Sequence, residues 1–194
     1  MREKRARGFR LPGSDSVRSR TLLLGALLAT AALLAGCSTD PGPLSDGGLG
    51  NNPGHECIPE PVGFQVSDGF FLLTNTGWSP VTVTSVKITS LHGLAMTRAW
   101  LMPEYKPPHG VPSGVGDDSY PPINSPQWPN REAVPGAVIK PHRALNLFFG
   151  LARTTAETGR AGGPTITYTA GGNTYTLQEQ FGFIIPAPHA HCPS

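Results

Sequence analysis

The sequence predicts an all-β domain, and three observations carry that prediction. Val81–Thr84 and Val86–Thr89 alternate strictly between apolar and polar residues, which is the pattern of a half-buried strand. Gly171-Gly172 joins two further segments of this kind, and such a link is a strong hairpin signal. No stretch has the periodicity of an amphipathic helix, and Thr154–Glu157 makes at most one helical turn.

The order of the predicted strands follows from the alternation of apolar runs and turn signals. Phe70–Leu73 is an apolar run that ends at the turn residues Asn75-Thr76-Gly77. The two alternating segments that follow differ in phase by one residue, so we expect a bulge near Ser85. Together the segments predict a single immunoglobulin-like β-sandwich of about seven strands. The predicted strand segments are Val62–Val66, Phe70–Leu73, Val81–Thr84, Val86–Thr89, Leu94–Met102, Leu145–Leu151, Thr165–Thr169, Tyr175–Leu177 and Phe181–Ile185.

A proline-rich stretch interrupts this pattern between Pro103 and Pro141. It holds ten prolines in thirty-nine residues, and a segment of this length without strands is commonly functional or disordered. It is either a lid or partner-binding loop, or a proline-stiffened crossover that is draped over one sheet with its aromatics covering an edge. We favour the crossover. The residues concerned are Tyr105, Tyr120, Trp128 and the Asp117-Asp118 pair, which is either solvated charge or a site for a hard cation.

The amino-terminal segment has the parts of a secretory signal. The first twenty residues carry seven Arg or Lys against two acids, and Leu22–Ala35 is uncharged and rich in Leu and Ala. This apolar stretch of fourteen residues is shorter than the roughly 20 residues that a membrane-spanning helix needs. Small residues at its end complete the basic, apolar and cleavable regions of a signal peptide.

Leu34-Ala35-Gly36-Cys37 closes the apolar stretch and resembles the lipobox of bacterial lipoproteins. The resemblance implies a signal peptide over residues 1–36. It also implies that Cys37 receives a diacylglycerol and holds the mature chain on the extracytoplasmic face of the cell membrane. Two alternatives are an ordinary signal peptide cut near Ala35, with Cys37 as a thiol, and a retained transmembrane anchor. We favour lipidation, because an exposed thiol is a liability in an oxidising compartment.

Composition divides the rest of the chain into a tether and a folded domain. Residues 37–54 are rich in Gly, Pro, Ser, Asn and Asp and hold only two leucines. They predict a flexible tether, because they offer little apolar surface for burial. At ~5–6 Å × √n, such a tether reaches about 20–25 Å. The β-sandwich domain is then expected over 55–194.

The balance of charge excludes one class of partner. Beyond the first twenty residues the chain has eight basic and eleven acidic residues. A mildly acidic mature chain lacks the basic footprint that nucleic-acid binding requires. Eleven of the fifteen basic residues are Arg, and together with abundant Ala, Gly and Pro this bias indicates a high-GC genome such as that of an actinobacterium.

The chain has three cysteines, and acylation of Cys37 leaves Cys57 and Cys192 as a pair. An even remainder in an exported protein points to a disulfide, here one that ties the two ends of the domain together. A metal site is the alternative, because soft metals such as Cu(I) or Zn²⁺ accept His and Cys ligands. That site would also use the histidines beside the two cysteines, which are His55, His189 and His191.

A second resemblance involves His92, Met96 and Met102, followed by Pro141–Leu147. These segments resemble the ligand segments of periplasmic copper chaperones with a cupredoxin-like sandwich. The resemblance implies a β-sandwich and leaves His92, Met96 and His142 as alternative metal ligands. In the second segment, aliphatic residues replace two histidines and a methionine of that family, so the shape is carried over and the copper activity is not.

The sequence holds no catalytic motif of the kinds considered. It lacks a G-x-S-x-G elbow, a Walker A loop, a dinucleotide fingerprint and H-E-x-x-H, so we expect neither an enzyme nor a cofactor. The prediction is a lipid-anchored extracytoplasmic binding or envelope accessory protein. Its partners would be the membrane, through Cys37, and a protein or another envelope component. A metal-handling lipoprotein for copper or zinc is the alternative function.

Overall fold

Alternating sequence becomes paired strands in the computed structural model, which describes residues 41–47, 53–59, 66–104, 120–123 and 125–192. These residues form β-strands and one short 3-10 helix, with no α-helix among them. The all-β prediction is therefore confirmed. The elements are β1 Leu44–Asp46, β2 His55–Cys57, β3 Val66–Asn75, β4 Val81–Ile88, β5 Leu94–Met96, β6 Trp100–Pro103, the 3-10 helix Trp128–Asn130, β7 Glu132–Ala133, β8 Val138–Ile139, β9 Ala144–Arg153, β10 Gly159–Ala161, β11 Pro164–Ala170, β12 Asn173–Gln178 and β13 Gly182–Ile185.

The strands form three sheets. The largest has the order β1-β3-β9-β6-β7, with β5 also paired to β9. The second has the order β12-β11-β4-β8 and the third β10-β13-β2. The pair β13 and β2 is parallel, whereas the long strands β3, β4, β9 and β11 pair antiparallel. This arrangement agrees with a β-sandwich, and the immunoglobulin-like subtype stays a prediction.

All three sheets contribute side chains to one hydrophobic core. Phe71 stacks on Phe149 with ring centroids 6.3 Å apart, and Phe183 meets both rings edge-on at 6.0 and 5.7 Å. Full burial of each such side chain stabilises the fold by about 1.5–3 kcal/mol. The rings therefore join the largest sheet to the third sheet. Aliphatic residues that are fully buried complete the core, among them Leu73, Val81, Val83, Leu147, Leu151 and Ile166.

Two local predictions about the second sheet are confirmed. Ser85 pairs with Thr167 and Val83 pairs with Tyr168, so Thr84 is the additional residue of a bulge. The bulge reconciles the phases of the two alternating segments, because one extra residue returns the apolar side chains to the same face. The two-glycine hairpin is also present, with positive φ at both glycines and β11 paired to β12 across them.

The strand count differs from the expected seven, because one predicted segment is divided and five short strands lie outside the predicted segments, namely β1, β2, β7, β8 and β10. Leu94–Met102, predicted as one strand, is divided into β5 and β6. Between them Thr97 replaces the regular ladder: its N–H donates to the Gly150 carbonyl at 2.8 Å, and its hydroxyl accepts from the Gly150 N–H at 2.8 Å. Of the predicted strand Val62–Val66, residues 62–65 lie outside the described residues.

The flexible tether predicted over 37–54 is wrong for residues 41–47. Leu44–Asp46 forms β1 and pairs with the end of β3, and Leu44 is buried. The Tyr168 hydroxyl lies 3.2 Å from the Pro41 carbonyl and 3.4 Å from the Leu44 N–H, so it bonds to both. Composition failed here because one buried leucine and one tyrosine hydroxyl are enough to hold a Gly/Pro-rich segment in place. The folded domain therefore begins earlier than residue 55.

Candidate functional site

The predicted disulfide is present. Cys57 at the end of β2 is bonded to Cys192, and their Cα atoms are 5.7 Å apart, within the usual range for such a bridge. Beside it, the Ile58 N–H donates to the Ile184 carbonyl at 2.9 Å, which continues the pairing of β2 with β13. Both sulfurs are consumed by the bridge, so they are not available as the thiolate ligands that the metal alternative would use.

The three histidines near the disulfide are separate surface residues. His55, His189 and His191 are all exposed, and His189 lies in a turn with φ of 67°. No group of three His, Cys, Asp or Glu residues in the described part of the chain lies close enough to hold a metal ion. The terminal cluster that the metal alternative requires is therefore not assembled among these residues.

The structure also separates the other alternative metal ligands. His92 is exposed and forms a two-bond bridge with Arg160, at 2.8 and 2.9 Å, beyond the last residue of β9. Met96 pairs with Leu151 near that same end of β9, whereas His142 lies just before its first residue. A strand of ten residues spans about 30 Å. His142 therefore lies too far from His92 and Met96 to share one metal ion with them.

Part of the proline-rich stretch is packed on the outer face of the largest sheet. The Tyr120 ring stacks on Phe148 at 6.4 Å, and Trp128 meets Phe148 edge-on at 6.0 Å and Trp100 at 5.7 Å. The Trp100 indole N–H donates to the Tyr120 hydroxyl at 3.0 Å. For residues 120–123 and 125–141 the crossover interpretation is therefore the better one. Tyr105, Asp117 and Asp118 lie outside the described residues.

We call the group of rings formed by Tyr120, Trp128 and Trp100 over Phe148 the aromatic cap. Arg131 packs on it. Its guanidinium carbon lies 4.1 Å from the centroid of Trp128 and 4.8 Å from that of Trp100, and one terminal nitrogen donates to the Trp128 carbonyl at 2.8 Å. A cation held over an aromatic face is stabilised by about 0.5–1 kcal/mol at an exposed site and by more when it is desolvated. The crossover is thus fixed by ring, cation and hydrogen-bond contacts.

An open cleft of about 500 Å³ lies where the turn before β9 meets β7 and β8. Glu104 and Glu132 line it together with Lys140, His142 and Arg143. One Glu132 oxygen accepts from the Val138 N–H at 3.0 Å, so its side chain is held in place. The cleft therefore offers both signs of charge to a polar ligand. Of the predicted site residues, His142 alone lines it.

The turns after β3 and before β9 and the hairpin between β11 and β12 lie around Pro41, where the described chain begins. They form one surface, which we call the amino-terminal end. Trp78 in this surface is 87% exposed, and its ring meets His142 edge-on at 4.5 Å. A shallow groove of about 350 Å³ beside it is lined by Pro43, Gly77 and Tyr175. The sequence pattern predicted a turn at the neighbouring Asn75-Thr76-Gly77, but it did not indicate a surface role for the tryptophan that follows. The surface comprises residues 41–43, 76–80, 140–143 and 171–172.

Asn75 holds the turns of the amino-terminal end together. Its amide nitrogen donates to the Ser79 carbonyl at 2.9 Å and to the Ile139 carbonyl at 3.0 Å, while its amide oxygen accepts from the Gly77 N–H at 2.9 Å. The Asn75 backbone carbonyl accepts from the His142 N–H at 2.9 Å. Because Asn75 is fully buried, its polar groups need partners within the protein, and these bonds orient the exposed residues around it.

A pair of carboxyl groups, of which one is buried, is a second feature that the sequence did not predict. Glu179 is 1% exposed, and no N–H or O–H donor among the described residues reaches either of its carboxyl oxygens. Burial, then the charge of Asp46, then a hydrogen bond to that side chain raise the pKa of Glu179 from 4.5 to about 8. Because Asp46 is itself an acceptor, only protonated Glu179 can donate to it. The two carboxyls are far apart in the chain, so only the fold reveals their proximity.

No protein-family model, curated protein or solved structure matches this chain. No helix in the described part of the chain is long and apolar enough to cross a membrane.

Proposed function

We propose that this chain is a lipid-anchored extracytoplasmic protein that acts by binding a component of the cell envelope. The observation that carries the proposal is the partition of its cysteines. The Cys57–Cys192 bridge is a feature of oxidising compartments, and it uses two of the three cysteines. Cys37, the third, stands where the lipobox resemblance places the acylated residue.

The mixed-charge cleft supports binding as the mode of action. It is open, it is lined by Glu132 and Glu104 on the acidic side, and Lys140 and Arg143 supply positive charge. Such a site pairs with a polar ligand that carries complementary charges, for example a peptide. The described donor groups do not assemble a metal site, so we advance no second function.

The anchor is tested by expressing the full chain and its Cys37→Ala variant in a bacterium fed an alkyne-tagged fatty acid. Wild type should carry the tag and stay in the membrane fraction after washing with high salt, because buried acyl chains contribute ~0.8 kcal/mol per CH₂. The variant should carry no tag and remain uncut. Equal tagging of the two proteins would overturn the lipid anchor.

Binding at the cleft is tested by photocrosslinking in intact cells. A photoreactive residue placed at His142, which is exposed and lines the cleft, should give discrete adducts with envelope components. The same residue placed at Glu157, which is exposed in the turn after β9, is the matched control. Adducts that are equal at both positions, or absent from both, would contradict a binding role for the cleft.

A further inference from the structure

The amino-terminal end carries an exposed indole next to the point where the described chain begins. Single exposed apolar residues are common on protein surfaces, so exposure alone assigns nothing to Trp78. Its position is what distinguishes it. The Thr76 N–H donates to the Pro43 carbonyl at 2.8 Å, and a Cβ atom on Gly77 would lie 2.7 Å from the Pro43 side chain. The turn that presents Trp78 is therefore packed directly on the incoming chain.

Chain length limits how far this end can lie from the anchor. Pro41 is held to the domain by the Tyr168 hydroxyl, 3.2 Å from its carbonyl oxygen, and Cys37 precedes it by four residues. Fully extended chain spans at most about 3.3–3.6 Å per residue, so the two residues are at most about 14 Å apart. The headgroup layer on one side of a bilayer is about 5–8 Å thick. A lipid on Cys37 would therefore bring the amino-terminal end to the membrane surface.

The charges of this end suit the surface of an anionic membrane. Lys140 and Arg143 are exposed in the turn that also holds His142, and residues 41–43, 76–80 and 171–172 contain no acidic residue. Lys and Arg side chains near an anionic leaflet are attracted to its negative surface potential. Two described acids, Glu104 and Glu132, line the cleft beside this surface, and Asp40 directly precedes Pro41 in the sequence. Tryptophan is enriched at the membrane–water interface because its ring is amphipathic.

We propose that the amino-terminal end lies on the membrane, with Trp78 in the headgroup layer and Lys140 and Arg143 against anionic lipid headgroups. The inference rests on the proposed lipid anchor at Cys37 and adds the orientation of the domain to it. The mixed-charge cleft then opens beside the membrane surface, because His142 and Arg143 belong to both.

The test uses the mature full chain, reconstituted into vesicles of phosphatidylglycerol and phosphatidylcholine with brominated acyl chains. Bromine quenches tryptophans that lie at the membrane. Wild-type fluorescence should fall relative to vesicles without bromine, and the Trp78→Phe variant should lose most of this quenching. Trp128→Phe is the matched control and should keep it, because Trp128 lies in the aromatic cap. Equal fractional quenching in wild type and Trp78→Phe would overturn the orientation.

Two further measurements separate the possible failures. The intact mass of the reconstituted protein reports the acyl groups on Cys37, and their absence would overturn both the anchor and the inference that rests on it. An acylated protein without Trp78-dependent quenching would overturn the orientation alone. A change in Trp78 fluorescence on adding a chitooligosaccharide, without quenching in vesicles, would assign this surface to a glycan and would also overturn it.

The electrostatic part has its own variants. Quenching should be greater in vesicles that contain phosphatidylglycerol than in vesicles of phosphatidylcholine alone. Lys140→Glu combined with Arg143→Glu should remove that difference. Lys87→Glu, at an exposed position on β4 away from this surface, should leave the difference unchanged. Quenching that does not depend on the anionic lipid would refute the contribution of the two basic residues.

Discussion

The carboxyl pair of Glu179 and Asp46 predicts that the protein loses stability as pH rises. The pKa of Glu179 is about 8 in the folded protein, compared with an ordinary value of 4.5. Folding therefore favours the protonated form. The corresponding stability is fully present below about pH 4.5 and is lost progressively up to about pH 8.

The two pKa values set the size of the effect. Their difference corresponds to a ceiling of about 5 kcal/mol, since one pKa unit is about 1.4 kcal/mol. Asp46 is only partly buried, and water that reaches it screens part of the repulsion. We therefore expect the free energy of unfolding to fall by about 2–3 kcal/mol between pH 5 and pH 8.

Glu179→Gln isolates the cause. The amide keeps the shape of the protonated acid and its ability to donate to Asp46, but it does not titrate. At pH 8 the variant should be more stable than wild type by about 2 kcal/mol, whereas at pH 5 the two should differ by less than about 1 kcal/mol. Asp46→Asn should also raise stability at pH 8, because it removes the neighbouring charge.

The assay is equilibrium unfolding in guanidinium chloride at pH 5 and pH 8, followed by tryptophan fluorescence with the disulfide intact. Glu157→Gln is the control, because Glu157 is exposed and surface substitutions change stability by less than about 0.5 kcal/mol. Wild type that is equally stable at both pH values would refute the reasoning. A Glu179→Gln variant that is weakened equally at both would refute it as well.

Three further predictions concern packing and cross-linking. Gly150→Ala would place a Cβ atom 2.6 Å from the Tyr120 ring, so it should lower the free energy of unfolding by about 1–3 kcal/mol and expose the aromatic cap to limited proteolysis. An unchanged unfolding midpoint would contradict tight packing of the cap on Gly150. Asn75→Asp replaces two donated bonds by a carboxylate that faces two carbonyls, so it should lower the free energy of unfolding by about 2–4 kcal/mol. Thermal unfolding measures this, and a variant as stable as wild type would contradict the role of Asn75 in holding the turns. Cys57→Ser combined with Cys192→Ser should lower stability by roughly 4–5 kcal/mol while keeping the β-sheet circular dichroism spectrum, and loss of that spectrum would mean that the strands do not hold the core alone.

Sequence patterns predicted the features that depend on neighbouring residues. The bulge at Thr84 follows from a change of phase between two alternating segments, and the Gly171-Gly172 hairpin from residues that favour positive φ. The disulfide followed from counting cysteines. Each of these needs only local spacing or parity, so no knowledge of the tertiary structure was required.

Features that depend on distant residues escaped prediction. The burial of Leu44 requires β3 and Tyr168, neither of which is visible from a segment rich in Gly and Pro. The carboxyl pair likewise joins residues from the two ends of the domain. His92 and His142 were grouped by resemblance, and only the length of β9 shows that they lie apart. Spacing along the chain does not carry this information, because the sheet order decides which strands become neighbours.

Limited proteolysis tests whether the proline-rich stretch is a mobile lid or a packed crossover. A mobile lid would be cut by chymotrypsin after Tyr105 or by trypsin after Arg131, as exposed loops are, whereas Lys106 precedes Pro107 and trypsin cuts a Lys–Pro bond poorly. The Arg131 guanidinium lies over two indole rings, so we expect no cut there in the folded protein. A fragment that ends at Arg131 under native conditions would contradict the cap, and Trp128→Ala should create one.

The order of the third sheet constrains how the chain matures. The last strand, Gly182–Ile185, lies in the middle of that sheet, between β10 and β2. Neither neighbour can pair with this strand, and Cys57 cannot bond to Cys192, until the segment from Gly182 to Cys192 has been synthesised. Formation of the disulfide therefore follows synthesis of this segment, and removal of residues 182–192 would take away both the central strand of the third sheet and the covalent bridge.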